Sequence, residues 1–351
     1  MSLLNDTLAA IESVDDKVIE EATERQNDLT KPPGSLGQVE TIGIKLAGIA
    51  GAVPPPAPER ATIGVFAGDH GVCAQGVTPW PQEVTVQMLM NMSAGGAAIN
   101  VLGRTFGADV VITDVGVASD YPSDAPNIRR KNVRRGTADF SQEPAMTREE
   151  AIAAIEVGIE TANEVIDGGS QALLTGEMGI GNTSPSTALI AAFTGVDVAD
   201  ATGRGTGADD AMLRHKVTVI RGALEKHEID THDPIGVLAS VGGLEHAALS
   251  GFILGGAARR VPVILDGVIA CSAACVAASL DPRVKDYLIS GHAGVEPGIM
   301  AALDWLDLKA LVDLDLRLGE GSGAALALPI VRAAANIFQM ASFADAGIAN
   351  E

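Results

Sequence analysis

The residues with the clearest chemical potential lie in residues 317–324 (RLGEGSGA), a glycine-rich turn that carries one carboxylate, Glu320. An alternating apolar run, residues 310–316, precedes the turn, and a small-residue helical run, residues 324–330, follows it. The pattern predicts a strand, a tight turn and a helix start. Glycines let a backbone approach a ligand closely, and the free N–H groups of a helix start attract anions. A lone carboxylate in such a place is a candidate general base.

The same turn has two interpretations other than a ligand site with a general base. Glu320 could simply favour the positive end of the helix dipole, an effect worth about 0.3–1 kcal/mol. The turn also fits the dinucleotide fingerprint G-x-G-x-x-A. That fingerprint needs a second strand ending in an acidic residue, and the residues after Ala324 are too few and follow a helical pattern. A nicotinamide-dinucleotide domain is therefore not expected.

A second candidate site is the glycine loop of residues 176–186 (GEMGIGNTSPS). Asn182, Thr183 and Ser184 are typical helix caps, and Pro185 suits a first helical turn. The N–H groups of such a loop could hold a phosphate. No Lys-Ser or Lys-Thr follows the glycines, so the loop is not a Walker motif. From the residues alone, a tight structural turn is an equally good interpretation.

Residues 203–207 (GRGTG) form a third glycine-rich segment, and the helical pattern after it carries Lys216. Glycines beside a cation fit a second phosphate contact. Taken alone, the pattern favours a flexible surface loop.

Three further polar positions leave their role open. Asp266 follows a buried strand and could orient a ligand or cap a turn. The dipeptide Asp69-His70 could be a catalytic pair, but such a dipeptide is weak evidence, and His292 is similar. No G-x-S-x-G elbow accompanies either histidine, so a serine hydrolase is not expected.

The elements that must position these residues are short apolar runs separated by helical patterns. Runs of this kind suit strands buried on both faces, and their alternation with helices predicts an α/β fold with a doubly wound, mostly parallel, Rossmann-like three-layer sheet. The predicted strands are residues 61–67, 109–114, 171–175, 261–266, 286–290 and 310–316. Several of them end in glycine beside a charged residue. Ligands bind at the carboxyl ends of such strands, so this edge predicts an active site.

The two chain ends follow helical patterns. A polar amphipathic helix is predicted up to residue 25, a second helix over 36–49 with Ser35 as its cap, and a last helix over 324–346. A proline-rich segment, residues 54–58, marks a boundary. We expect a catalytic core over 59–325 and a small helical lobe built from 1–58 and 326–351.

Composition limits the partners. The chain has 351 residues, 47% hydrophobic and 3% aromatic, with a net charge of −21. Such a charge disfavours nucleic acid and anionic membranes. Cys271 and Cys275 suit buried packing in a helix, and with Cys73 they make no zinc motif. No signal segment or membrane helix is evident, so a soluble, cytoplasmic protein is expected.

Taken together, the motifs resemble those of the nicotinate-nucleotide:dimethylbenzimidazole phosphoribosyltransferase family, which makes the lower-ligand nucleotide of cobalamin. The resemblance runs from residue 30 to about residue 347. It includes residues 30–37 (TKPPGSLG), 68–72 (GDHGV), 81–85 (PQEVT), 95–100 (GGAAIN), 176–183 (GEMGIGNT), 203–207 (GRGTG), 265–267 (LDG) and 317–324 (RLGEGSGA). So many motifs in order make the resemblance specific.

The resemblance implies a parallel α/β core, a small lobe from both chain ends and a homodimer. It implies that a base displaces nicotinate from C1 of nicotinate mononucleotide, with Glu320 as general base and with no cofactor and no metal. The implied phosphate contacts include Gly179 and Lys216, with Glu177 near the ribose or reacting centre and Asp266 at the substrate. The implied base pocket includes Trp80, Met88 and Met178. Substrate contacts are also expected at Asn182, Thr183, Gly203, Gly205 and Gly294.

Two alternatives remain beside that function. The chain could use another acceptor, such as adenine, another benzimidazole or a phenol; Met88 stands where some relatives carry Gln, and Met is an adaptable apolar lining. It could also be a nucleotide-binding sensor without turnover, although the presence of Glu177, Lys216 and Glu320 argues against this. The sequence does not identify the physiological base, the dimer contacts or the reason for the negative charge.

Overall fold

A six-stranded sheet is the centre of the computed structural model, which describes residues 2–205 and 207–348. All neighbouring strands pair in parallel, in the order β3-β2-β1-β4-β5-β6. The strands are β1 (Ala61–Gly68), β2 (Ala108–Gly116), β3 (Ile128–Arg130), β4 (Ala172–Met178), β5 (Val263–Leu265) and β6 (Leu288–Ser290). This arrangement confirms the predicted parallel α/β class.

Helices cover both faces of the sheet. Before β4 they are α1 (Leu3–Ala10), α2 (Asp16–Asp28), α3 (Gln38–Ala50), α4 (Glu83–Ser93), α5 (Ala98–Phe106) and α6 (Arg148–Asp167). After β4 they are α7 (Thr183–Thr194), α8 (Val198–Ala201), α9 (Asp210–Lys226), α10 (Pro234–Val241), α11 (Leu244–Ala258), α12 (Val268–Leu280), α13 (Gly298–Leu306) and α14 (Ser322–Asn336).

Strand β1 shows how the sheet separates two apolar cores. Every residue of β1 is buried. Ile63 and Val65 belong to the core that contains α14, whereas Phe66 points to the opposite core and meets Phe252 of α11 with ring centroids 5.4 Å apart. Alternation of side chains across a strand explains this division. The result is three layers, with the site-bearing loops at one edge of the middle layer.

The strand order places a topological switch beside β1. From β1 the chain proceeds to β2 on one side, and β4 joins β1 on the other. The loops that leave the carboxyl ends of β1 and β4 therefore diverge, which opens a crevice between them. The segments after β1, β4 and β5 all reach this edge.

Two parts of the strand prediction were wrong. Only Val312 and Asp313 of residues 310–316 form a strand, β8, which pairs with β7 (His292–Ala293) in a separate two-stranded sheet. Residues 310–316 are half-buried or exposed without alternation, and the positive φ of Asp315, 53°, interrupts an extended chain. Strands β3 and β7 were missed, because two or three residues make no apolar run.

The helix boundaries at both chain ends also differ from the prediction. The first predicted helix is broken after Ala10, and α2 starts only at Asp16. Helix α3 begins after Gly37 without a side-chain cap, so Ser35 does not cap it. The last helix, α14, ends at Asn336 rather than at residue 346.

The chain ends pack in two places. Ala22 of α2, Ala47 of α3 and Phe338 after α14 form a small apolar cluster. Helix α1 instead packs on α6 and α11, and its Leu4 N–H donates to Glu156 of α6 at 3.1 Å. The division into a core over 59–325 and a lobe from both ends stays a prediction.

Helix α12 holds two of the cysteines. Cys271 and Cys275 are both fully buried there, which confirms their interpretation as packing residues, and Cys73 is partly exposed. Along the described parts of the chain, we found no helix with the length and apolar character that a bilayer crossing requires.

Helix α6 begins with a capping box, in which the Thr147 hydroxyl accepts from the Glu150 N–H and the Glu150 carboxylate accepts from the Thr147 N–H.

Glycines allow α6 and α11 to approach closely. A Cβ at Gly158 of α6 would lie 1.8 Å from the Ala248 carbonyl oxygen of α11. A backbone contact of this kind leaves no room for even one methyl group.

We predict that Gly158→Ala destabilises the protein by about 1–3 kcal/mol through overpacking. The matched control is Gly222→Ala on α9, where an added Cβ meets nothing within 4 Å, so that higher helix propensity stabilises by up to about 1 kcal/mol. Urea unfolding of both variants measures the difference. Equal stability of the two variants would contradict the close helix contact.

Candidate active site

A cavity of about 300 Å³ lies at the carboxyl ends of β1, β4 and β5. All the site residues predicted from the sequence line it except Gly203, whose carbonyl oxygen lies 3.5 Å from the lining residue Lys216. The predicted residues in its wall are Trp80, Met88, Glu177, Met178, Gly179, Asn182, Thr183, Gly205, Lys216, Asp266, Gly294 and Glu320. Segments distant in sequence thus meet around one space large enough for a small molecule.

The turn before α14 carries Glu320 in an uncommon backbone conformation. Gly319, Glu320 and Gly321 have φ values of 90°, 64° and 100°. Positive φ is easy for glycine but costs a residue with a Cβ about 1–2 kcal/mol. A Cβ at Gly319 would also lie 2.2 Å from Oε1 of Glu177. Glycine is required there by both conformation and space.

Asp266 holds this turn in place. Its carboxylate accepts hydrogen bonds from the backbone N–H groups of Gly321, Gly323 and Ala324 at 3.1, 2.7 and 3.2 Å. Asp266 is 2% exposed. Of the two roles left open by the sequence, capping is the one observed. Direct contact of Asp266 with a substrate remains a prediction.

The Glu320 carboxylate points at the start of another helix. Its Oε2 accepts from the Ile99 N–H at 3.1 Å, at the N-terminus of α5. Glu320 is 4% exposed and lines the cavity. Burial raises its pKa, the Ile99 N–H opposes this, and the nearby Asp266 charge adds to the rise. The Ala98 N–H also lowers the pKa. A buried carboxylate that is oriented by the start of a helix and has a raised pKa is suited to accept a proton.

Glu177 lies beside the same turn. Its Oε1 accepts from the Glu320 backbone N–H at 3.3 Å, and its Oε2 accepts from the Asn182 side-chain amide. Burial, followed by the charges of Asp266 and Glu245, raises the pKa of Glu177 to about 8. Glu177 therefore carries a proton at neutral pH, and this limits repulsion among the acidic groups of the cavity.

The glycine loop after β4 leads into α7. Asn182 is the N-cap residue, but its side chain makes no capping hydrogen bond, because it donates to Glu177 instead. The predicted side-chain cap was therefore wrong, and Pro185 lies within the first turn of α7. The loop is fixed by the Ile180 N–H, which donates to the Thr85 hydroxyl at 3.0 Å.

Lys216 is a buried cation in the wall of the cavity. Its Nζ donates to the Thr183 hydroxyl at 2.6 Å, and the residue is 1% exposed. Burial lowers its pKa to about 8, while the negative charge of Glu296 acts in the opposite direction. A desolvated ammonium beside glycine-rich backbone is suited to bind an anion.

Part of the cavity wall is apolar. Met88 and Met178 are partly buried there, and Trp80 stands at the rim with half of its surface exposed. Val84 and Leu318 add to this wall. The cavity wall thus combines charged and apolar side chains, as expected for a ligand with an anionic group and an aromatic ring.

Asp69 and His70 are buried behind the glycine loop and do not line the cavity. Nε2 of His70 lies 2.7 Å from Oε1 of Glu245, and Nδ1 of His246 lies 3.0 Å from the same oxygen. Burial lowers the pKa of His70, but Glu245 outweighs it and the pKa is raised. The pair is a buried charge cluster rather than a catalytic pair at the cavity.

His70, Glu245 and His246 also have side chains of metal-ligating type, with ligand atoms within 4.8 Å of one another. The sequence did not suggest this group, because His70 is distant from the other two in the chain. Tetrahedral ligands about 2.1 Å from a zinc ion lie roughly 3.4 Å apart. The contact of 2.7 Å between His70 and Glu245 is shorter and fits a direct ion pair.

Several lining residues were not predicted from the sequence. They include Arg204, Ile269, Val295, Glu296 and Arg317. His292, whose role was left open, also lines the cavity, with Nε2 3.5 Å from Oδ1 of Asp266. Their position beside glycines at strand ends was the available signal, but only the tertiary structure shows which side chains face inward.

Comparison with known proteins identifies the class. A family model described as "Phosphoribosyltransferase" matches residues 11–348. This match covers nearly the whole chain, including every segment of the cavity wall. The fold and the site thus define a phosphoribosyltransferase with an open α/β sheet.

Individual relatives narrow the family. A nicotinate-nucleotide–dimethylbenzimidazole phosphoribosyltransferase of Salinispora tropica is 53% identical, over 99% of this chain and 100% of the relative. A relative of the same name from Chloroflexus aggregans is 53% identical over 100% of this chain and 99% of the relative. The crystal structure of CobT from Thermus thermophilus matches with a TM-score of 0.92 and 42% identity, covering 95% of this chain and 100% of that chain. The chain belongs to the nicotinate-nucleotide–dimethylbenzimidazole phosphoribosyltransferase family.

The raised pKa of Glu177 predicts a pH dependence of stability. Folding raises this pKa from 4.5 to about 8, so between these values the folded protein holds a proton that the unfolded chain has released. The free energy of unfolding attributable to Glu177 therefore falls as pH rises through this window. Glu177→Gln removes that dependence, and its Tm relative to the original protein should increase from about pH 5 to about pH 8.

Thermal unfolding across this pH range measures the effect. The control is Glu24→Gln, which removes an exposed carboxylate from α2 and should leave the Tm difference independent of pH. A constant Tm difference for Glu177→Gln would show that Glu177 is ionised in the folded protein.

Proposed function

We propose that the chain transfers the phosphoribosyl group of nicotinate mononucleotide to dimethylbenzimidazole, giving α-ribazole 5′-phosphate and nicotinate. The relatives that match over their whole length carry this activity in their names. The observation that carries the proposal is the placement of Glu320, a buried carboxylate with a raised pKa that lines the same cavity as Lys216 and the apolar side chains.

Glu320 acts as the general base in this scheme. The C1–N bond of nicotinate mononucleotide breaks, and its electron pair returns to the pyridine nitrogen, while one benzimidazole nitrogen forms a new bond to C1 from the opposite face. The other benzimidazole nitrogen loses its proton to Glu320. The Ile99 N–H fixes one carboxylate oxygen, and this orients the other toward the acceptor.

The part of the cavity wall around Lys216 binds the phosphate. Lys216 supplies the cation, and the glycine loops around Gly179 and Gly205 supply backbone N–H groups. These groups are already ordered, since Lys216 is hydrogen-bonded to Thr183, so little conformational entropy is lost on binding. Asn182, Gly203 and Gly294 complete this part of the proposed site.

The apolar part of the cavity wall binds the acceptor base. Trp80, Met88 and Met178 offer surfaces on which a flat aromatic ring can pack. Glu177 and Asp266 also line the cavity, and we place Glu177, in its protonated form, near the ribose. Nicotinate leaves with a neutral ring nitrogen, so the scheme uses no cofactor and no metal.

Acceptor choice and assembly are part of the same proposal. Met88 in the apolar part of the cavity wall is compatible with another benzimidazole, adenine or a phenol as acceptor, and a panel of acceptors separates these outcomes. We further propose a homodimer that works in the cytoplasm on small-molecule substrates.

We predict that Glu320→Gln lowers kcat by about 10²–10⁴-fold, the usual contribution of proton transfer to a positioned base. Glutamine keeps the size of the side chain and an oxygen for the Ile99 N–H, so the turn should stay folded. Steady-state assays of nicotinate release measure the loss.

The control is Asp313→Asn, which removes an exposed carboxylate from β8 nearby. It should keep kcat within about twofold. A loss of less than tenfold in Glu320→Gln, with normal folding by circular dichroism, would exclude Glu320 as the base.

We predict that Lys216→Met raises KM for nicotinate mononucleotide by about 10–100-fold, since a hydrogen bond to a charged group contributes about 1.5–3 kcal/mol. Methionine retains the buried apolar stem. Arg214→Met, which removes an exposed cation from the same helix, should change KM by less than about twofold. An unchanged KM in Lys216→Met would place the phosphate elsewhere.

A further inference from the structure

One carboxylate in the cavity wall, Glu296, has no role in the scheme above. It lies in the loop between β7 and α13. Its Oε1 accepts a hydrogen bond from the Gly205 N–H at 2.8 Å. A Cβ at Gly203 would lie 1.9 Å from Oε2 of the same side chain. The backbone of residues 203–205 therefore wraps closely around this carboxylate.

The surroundings of Glu296 are those of the proposed phosphate subsite. Lys216 lies 3.5 Å from the Gly203 carbonyl oxygen, and the negative charge of Glu296 acts to raise the pKa of Lys216. The Glu296 carboxylate therefore accepts from the Gly205 N–H and lies in the field of Lys216, two groups that are also assigned to the phosphate.

A carboxylate and a phosphate have the same requirement for N–H donors, and one N–H cannot serve both fully. Two anions in one partly buried site also repel each other strongly, because the effective dielectric constant there is well below that of water. The loop that carries Glu296 is bounded by the exposed Val295 and the exposed Pro297, so its side chain has an outward direction available.

We propose that Glu296 is an affinity-determining residue, an internal competitor for the phosphate subsite that a phosphate-bearing substrate displaces from the Gly205 N–H. This inference rests on the proposed function, which assigns the phosphate to Lys216 and residues 203–205. A nucleoside without the phosphate does not compete for that N–H. The competition therefore weakens nucleotide binding without affecting a nucleoside, and it reduces the preference of the site for a nucleotide.

A different role for Glu296 leads to the opposite result. If its carboxylate bound the ribose hydroxyl groups, removal of the charge would weaken nucleotide binding. The sign of the change in affinity thus distinguishes a competitor from a ligand.

The test is calorimetric titration of Glu296→Gln with inorganic phosphate and with nicotinate mononucleotide. Glutamine keeps an oxygen that can accept from the Gly205 N–H, but it lacks the charge. We expect both anions to bind about tenfold more tightly than to the original protein. In turnover assays KM for the nucleotide should fall by a similar factor, with kcat within about threefold.

Asp304→Asn is the matched control, because Asp304 is an exposed carboxylate on α13 close in sequence to Glu296. Its affinities should stay within about twofold of the original. Weaker nucleotide binding by Glu296→Gln, or unchanged affinity for both anions in a folded variant, would overturn the proposal.

The two proposals fail in different ways. Absence of nicotinate release by the original protein with every acceptor would reject the proposed function. The comparison of inorganic phosphate affinities between the original protein and Glu296→Gln would still decide whether Glu296 competes for the anion subsite.

Discussion

The site depends on the hydrogen bonds by which one buried carboxylate, Asp266, caps the N-terminus of α14. Its oxygens accept from the backbone N–H groups of Gly321, Gly323 and Ala324. Charge-assisted bonds of this kind are among the stronger hydrogen bonds in proteins, and they hold Glu320 at a positive φ that would otherwise be unfavourable. Loss of this carboxylate would leave buried N–H donors unpaired, at about 1–3 kcal/mol each. The position of the proposed base is therefore built on a residue that need not touch the substrate.

The cavity contains several ionisable groups whose charged form is disfavoured by burial. Burial raises the pKa of Glu177 to about 8 and lowers that of Lys216 to about 8. Both groups thus lie close to a change of protonation at neutral pH, a common property of sites that bind or transform charged ligands. Burial also raises the pKa of Glu320, which strengthens it as a base.

Strands β1, β2 and β4 were predictable because long apolar runs occur where both faces of a strand are buried. Glu177 and Glu320 were predictable as cavity residues because glycine-rich turns beside charged residues mark strand ends, and Lys216 was predictable because a glycine-rich segment precedes its helix. Strand β3 was too short to leave a pattern, and residues 310–316 alternate without joining the main sheet. Contacts such as Ile99 with Glu320, or Gly205 with Glu296, join distant segments. Only the packing of the whole chain determines them, so local patterns could not reveal them.

The central claim is that one cavity joins a ribose phosphate to an acceptor base. The most direct test mixes the purified protein with nicotinate mononucleotide, with and without dimethylbenzimidazole, and follows nicotinate and the nucleotide product by chromatography and NMR. Our account predicts nicotinate release that depends on the base, with a product in the α configuration at C1. Release without the base, or a product of β configuration, would contradict direct displacement in this cavity.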